Sequence, residues 1–201
     1  MQFKVLFLLI LVASQVFSQD DGGVLKAVKK YQTEANEKFS NSETTILDSL
    51  DLISFKSLEF YPVDLKFNVK ADFVRTPDEN PFLMKTSTSR LPEYVKYGEA
   101  HFSIDDELLT LNLYKSTSEA ESPEDEYLFL PFTDLTSGDG SYGGGRYVEL
   151  DIPTSETIYI NFNLAYNPYC AYSNRYSCPI PPKENDLLVR VEAGVKDYGH
   201  H

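Results

Sequence analysis

The chain has 201 residues, 42% of them apolar, and a formal charge of −13 from 18 Lys plus Arg against 31 Asp plus Glu. That apolar share excludes a disordered chain, which combines low hydropathy with high charge, and the length fits one domain or at most two small ones. The acidic balance argues against nucleic acid as a partner, because backbone binding needs clustered Lys and Arg to release counterions.

Residues 1–18, MQFKVLFLLILVASQVFS, carry one Lys, an apolar run from Val5 to Ala13 and small or polar residues up to Ser18. This pattern predicts a secretory signal peptide cleaved near Ser18. Its apolar run is too short to span a hydrocarbon core of roughly 30 Å. The expectation is an exported protein, periplasmic or secreted, with no membrane association after cleavage. Export also makes disulfides chemically possible.

Residues 19–54 read as a helical segment packed on the domain. Val24, Val28, Tyr31, Ala35 and Phe39 recur every three or four residues with Lys26, Lys29, Lys30 and Glu34 between them, the pattern of an amphipathic helix. Ile46, Leu47, Leu50 and Ile53 suggest a shorter second helix, with Ser42 to Thr44 as caps.

From residue 55 to 201 the apolar period falls to two, and an antiparallel β domain is expected. Phe67 to Phe73, Leu109 to Leu113, Val148 to Ile152, Ile158 to Phe162 and Leu187 to Val191 alternate cleanly. Between Val95 and Ile104 the apolar phase shifts from odd to even positions at Gly98, which predicts a bulge. With Phe55–Phe60 and Tyr127–Phe132, the count is eight or nine strands. Short turn-like links such as Asp105-Asp106 favour hairpins over crossover helices. The fold class is therefore mainly β, an antiparallel sandwich or small barrel with an N-terminal amphipathic helix. The acidic stretch from Ser116 to Glu126 reads as a solvated loop, since it lacks the ligand spacing of a calcium loop.

Chemistry concentrates in the last third. Five of the ten Gly lie between Gly138 and Gly145, and seven of the fourteen Tyr between Tyr142 and Tyr176, so backbone freedom and aromatic surface are both in use there. If the strands around Val148 and Ile160 form a hairpin, their polar face gathers Tyr147, Glu149, Asp151, Tyr159, Asn161 and Asn163: a solvated surface, or a polar pocket if it lines a barrel mouth. The Gly-rich run supplies either positive-φ turns or, with Arg146, an anion cradle; it lacks a P-loop ending. Cys170 and Cys178 are the only cysteines. A disulfide closing that loop is the leading reading, with free thiols, a two-thiolate metal site or a nucleophilic Cys as alternatives. No metal and no cofactor are expected. His101 reads as a surface strand residue.

At these residues the chain resembles a known family. GGGRYVELDIP, INFNLAYNPYCAYSNRYSCPIPPKEN and LLVRVEAGVK closely resemble the motifs of domain of unknown function family 1684, and the likeness extends to FKSLEFYPVDLKFNV, FLMKTSTSR and YLFLPFTDLTSG. Asn161 stands where the family usually has Asp, and Ser141 where it has Thr. The resemblance brings no established activity. It implies that Arg146, Tyr147, Asn163, Tyr166, Asn167, Cys170, Cys178, Pro179, Glu184 and Asn185 form one constellation.

The functional expectation is binding of a small molecule or glycan at an Arg/Asn/Tyr site. Arg146 would anchor an anionic or carbonyl group, Tyr166, Tyr169 and Tyr172 would stack, and Asn163 and Asn167 would orient hydrogen bonds, with Tyr147, Glu184 and Asn185 completing the set. Two alternatives stand beside it. In one, Arg146 pairs with Glu184 or Glu149 and the cluster is a clasp that holds the fold. In the other, Glu149, Asp151 or Glu184 serves a hydrolase as acid or base.

Overall fold

The computed structural model describes residues 21–118, 122 and 126–199. The expected leader at 1–18, most of the acidic loop and the terminal histidines lie outside the described residues. Helix α1 (Asp21–Ser40) buries Val24, Val28 and Phe39, with Tyr31 and Ala35 half-buried along the same stripe. Asn36 Oδ1 accepts the Leu58 amide at 2.7 Å, and Phe39 meets Tyr172 edge-on at 4.7 Å, so the helix is pinned by both polar and aromatic contacts. The second helix differs from expectation. α2 (Ser49–Ser54) starts after Ile46 and Leu47, which are buried, and it leaves Leu50 and Ile53 more than four-fifths exposed. Asp48 at its start makes no side-chain cap, and Thr44 instead donates its hydroxyl to the Lys38 carbonyl at the end of α1.

Seven strands follow: β1 (Asn68–Arg75), β2 (Phe82–Leu83), β3 (Glu93–Ile104), β4 (Glu107–Ser116), β5 (Leu128–Phe132), β6 (Arg146–Leu150) and β7 (Thr157–Asn161). They form one antiparallel sheet in the order β6-β5-β4-β3-β1-β7, with β2 paired to β3 off that path. β3 and β4 meet through a two-residue turn in which Asp105 and Asp106 both take positive φ, the twist that matches antiparallel strands. The bulge falls where the apolar phase shifts, between Lys96 and Gly98. A Cβ on Gly98 would sit 2.4 Å from the Phe73 ring and 2.6 Å from the Val74 carbonyl, so the close approach of β1 requires glycine.

The hairpin expected between β6 and β7 does not form. These strands lie at opposite edges of the sheet, joined by residues 151–156. In a flat sheet those edges would be about 24 Å apart, at roughly 4.8 Å per strand, a span the link could cover only if fully extended. The link bends at residues 154–156 instead, and the sheet curls to bring its edges near each other. The result is a curled half-barrel of seven strands rather than a sandwich or closed barrel of eight or nine. Closure stops because the chain turns away through a 3-10 turn at Phe162–Leu164 after β7. It meets the free edge of β6 at one reciprocal pair, in which the amides of Tyr147 and Tyr166 each donate to the other's carbonyl at 2.9 and 3.0 Å.

The segments at Phe55–Phe60 and Leu187–Val191 are not strands. They bury alternate side chains, among them Leu58, Leu187 and Val191, but their backbone meets its neighbours at isolated bridges such as Phe60 with Val195 and at single hydrogen bonds such as the Leu135 amide to the Val189 carbonyl. The concave face packs Val69, Phe102, Leu111, Leu130, Val148 and Phe162 against Val191 and Ala193 of the last segment. A smaller cluster on the convex face joins Met84, Tyr114, Phe129 and Tyr147. Among the described residues, no helix is long and apolar enough to cross a membrane.

Candidate functional site

Strand alternation divides the expected constellation. On β6, Arg146 shares its face with Val148 and points into the core, while Tyr147 and Glu149 share the convex face. Gly145, at φ +86°, makes the turn that delivers Arg146, and a Cβ there would lie 2.6 Å from the Phe132 carbonyl.

Arg146 is fully buried. Its Nη2 donates to Asp134 Oδ1 (3.0 Å), Thr136 Oγ1 (3.2 Å) and the Val191 carbonyl (2.8 Å), and its Nη1 donates to the Ala193 carbonyl. Asp134 Oδ2 in turn accepts the Val191 amide at 2.8 Å. Desolvation lowers the guanidinium pKa, and the Asp134 carboxylate opposes that shift. The partner is thus Asp134, neither Glu184 nor Glu149. The pair stands in for strand neighbours along the last segment, which explains why that segment needs no ladder.

Three asparagines do similar structural work. Asn163 donates Nδ2 to the Asp64 carbonyl at 2.9 Å and accepts the Asp64 amide at 3.0 Å, while Asn161 Oδ1 caps the turn by accepting the Asn163 amide at 3.1 Å. Asn185 spans β4 and β5, donating to the carbonyls of Asn112 and Pro131 at 2.9 and 2.7 Å and accepting the Asn112 amide at 2.9 Å. Each side-chain amide imitates a peptide group where the backbone has no strand beside it. Glu184 lies exposed on the same short turn as Asn185. His101 is a surface residue beside Thr110 and Glu99, at 3.0 and 3.2 Å.

Tyr147, Tyr166 and Asn167 line a cavity of about 550 Å³ between α1 and the convex face of β5 and β6. That volume lies in the range of small-molecule sites, roughly 300–1,000 Å³. Rings run along one wall by edge and tilted contacts: Tyr94 to Phe129 at 5.7 Å, Phe129 to Tyr147 at 4.7 Å, Tyr147 to Tyr166 at 5.7 Å. Tyr169 and Tyr176 extend the lining on the other side, 5.2 Å apart. Helix α1 contributes Tyr31 and Lys38, whose Nζ donates to the Tyr169 hydroxyl at 2.7 Å.

Burial raises the pKa of Tyr31, Tyr94, Tyr127, Tyr147 and Tyr166, so these phenols stay neutral donors at ordinary pH. The Glu149 charge adds to the rise at Tyr31, Tyr94, Tyr127 and Tyr166. Tyr166 donates its hydroxyl to Glu149 Oε1, and Tyr147 donates to the Pro179 carbonyl. Sequence reasoning missed Tyr31, Tyr94 and Tyr127. Tyr31 lies in the inward stripe of α1, and the bulge at Gly98 puts Tyr94 on the convex face, so both were within reach of the periodicity.

The disulfide is absent: Cys170 and Cys178 are free thiols. The Cys170 amide donates to Cys178 Sγ at 3.1 Å, and the Tyr142 hydroxyl lies 4.0 Å from Cys170 Sγ. The two sulfurs share a hydrogen bond in place of a covalent one, with Cys178 the thiol and Cys170 the acceptor. That contact lowers the Cys170 pKa to about 6 and pushes Cys178 up. Among the described residues, no group of three or more His, Cys, Asp or Glu could hold a metal ion.

The family model described as "Protein of unknown function (DUF1684)" matches residues 53–196. A solution NMR structure of an uncharacterized protein from gene locus rrnAC0354 of Haloarcula marismortui is 28% identical with a TM-score of 0.69, the match covering 90% of this chain and 98% of that one. No curated protein matches the chain.

Proposed function

The chain belongs to the family Protein of unknown function (DUF1684), and from that premise we propose that it is an exported β domain that binds a small ligand in the tyrosine-lined cavity under α1. The observation that carries this reading is the cavity itself: about 550 Å³, with aromatic faces for stacking and a hydrogen-bonding rim. Tyr147, Tyr166, Asn167, Tyr169 and Tyr172 of the expected site take part, and Cys178 and Pro179 of the same constellation also line it. Arg146, Asn163 and Asn185 make their recorded bonds within the fold.

The clasp reading is a second role for the same region, favoured by the Arg146–Asp134 pair, and it is compatible with binding because clasp and cavity lie on opposite faces of β6. A carboxylate-based hydrolase has less support, since neither Asp151 nor Glu184 lines the cavity beside Glu149.

A thermal-shift screen of metabolites and glycans tests the reading. Some compound should raise the melting temperature, and Tyr166→Ala should abolish that rise, while the exposed Lys70→Ala on β1 keeps it. A library that leaves the melting temperature and the tyrosine ring NMR signals unmoved would refute ligand binding. N-terminal sequencing of the exported protein should begin near Gln19.

A further inference from the structure

Beyond the binding reading and independent of it, we propose that Cys170 and Cys178 are a dithiol that exchanges with low-molecular-weight disulfides, Cys170 attacking and Cys178 resolving. The starting observation is that two elements hold the free thiols in contact. Cys170 sits on the 3-10 turn Tyr169–Ala171, whose Ala171 is buried in a cluster with Phe39 and Tyr172. Cys178 is held by the link between β2 and β3. There the Ser87 amide donates to the Cys178 carbonyl at 2.9 Å, the Cys178 amide donates to Ser87 Oγ at 3.1 Å, and Arg90 Nη2 donates to the neighbouring Ser177 carbonyl at 2.6 Å. The folded chain thus presents the two sulfurs to each other.

Their surroundings give the two sulfurs different parts. Cys170 is half-buried, whereas Cys178 is buried. The Cys170 sulfur receives hydrogen bonds from the Cys178 thiol, the Tyr142 hydroxyl and Ser87, and a thiolate held in this way is the attacking form. In the first step the Cys170 thiolate bonds to one sulfur of the disulfide RSSR, whose S–S bond breaks and releases RS⁻. Capping Cys170 removes the contact that does most to keep Cys178 protonated. The Cys170 amide, already 3.1 Å from Cys178 Sγ, and the charge of Arg90 then favour the Cys178 thiolate. In the second step Cys178 gives up its proton to solvent and attacks Cys170 Sγ, and the second RS⁻ leaves. Two protein thiols are oxidised to one disulfide, and the small disulfide is reduced to two thiols. The two protein protons reach the released sulfurs by way of solvent.

The test mixes the exported chain, reduced and freed of reductant, with oxidised glutathione, quenches it with acid at intervals and weighs it intact by mass spectrometry. The chain should lose two hydrogens by way of a transient adduct of one glutathione, and peptide mapping should find Cys170 bonded to Cys178. Cys178→Ala should stop at the adduct, with glutathione on Cys170. Cys170→Ala should take up glutathione about tenfold more slowly than Cys178→Ala, because its remaining thiol is buried. A wild-type chain that stays unreacted, or that stops at a glutathione adduct, overturns the proposal. So does an adduct that forms on Cys178 as fast as on Cys170. Should a variant fail to fold, the wild-type end point still decides. Ligand binding stands or falls separately, on the thermal-shift screen.

Discussion

On β6 the period of two puts Arg146 in phase with Val148, so the guanidinium has to be solvated from inside the protein, by Asp134, Thr136 and the carbonyls of the last segment. Removing one member of such a buried pair leaves the other uncompensated, at a cost of about 3–5 kcal/mol. Arg146→Ala should therefore lower the urea midpoint by an amount corresponding to that loss with an unchanged m-value, and Arg146→Lys should recover little of it, because a single ammonium cannot serve Asp134 and separate carbonyls together. At the cysteine pair the expected signature is kinetic. An ordinary thiol ionises at about 8.5, whereas the thiolate of Cys170 is held down to about 6 by the hydrogen bond from Cys178. Alkylation of Cys170 by iodoacetamide should rise with pH through a midpoint near 6, and Cys178→Ala, which removes the donor, should move that midpoint upward.

Among the elements, the bulge in β3 governs which tyrosines reach the cavity. It shifts the strand by one residue, so Ala100 and Phe102 face the core beyond it while Tyr94 faces the convex side before it. Gly98→Ala should destabilise the protein by about 1–3 kcal/mol, since the added methyl has Phe73 and the Val74 carbonyl in its way; thermal unfolding of the variant measures it. The phase shift was legible in the sequence, as was the alternation of β1, whose Val69, Ala71 and Phe73 are buried while Lys70 and Asp72 are exposed. The segments around Leu58 and Val189 misled for a related reason: their side chains alternate in burial, yet their backbone partners are side chains and scattered peptide groups of distant residues. Period two reports burial. It does not report what the peptide groups bond to.

For the molecule as a whole, the location of the unusual region was readable and its division was not. Tyr147, Tyr166 and Asn167 meet at a cavity, while Arg146, Asn163 and Asn185 became internal braces, and the separation follows from a topology that no local pattern encodes. A β6–β7 hairpin would have gathered the polar residues on one surface; sending β7 to the far edge beside β1 scattered them. Arg146 alone could have been assigned from phase, since it lies an even number of residues from Val148 and Leu150. The cavity needed three dimensions, because α1, β3, β5, β6 and the turn at Tyr169–Ala171 come from stretches separated by as many as 131 residues.

The final segment has one more consequence, for biosynthesis. Val191, Ala193 and Val195 fill the interior and answer the buried guanidinium, yet they are the last part of the fold to leave the ribosome. Until they emerge, the nascent sheet carries an open greasy trough with an ionised pair at its floor, a state prone to association with other unfinished chains. Emergence of that segment, rather than docking of any earlier hairpin, supplies the carbonyls that the buried guanidinium needs.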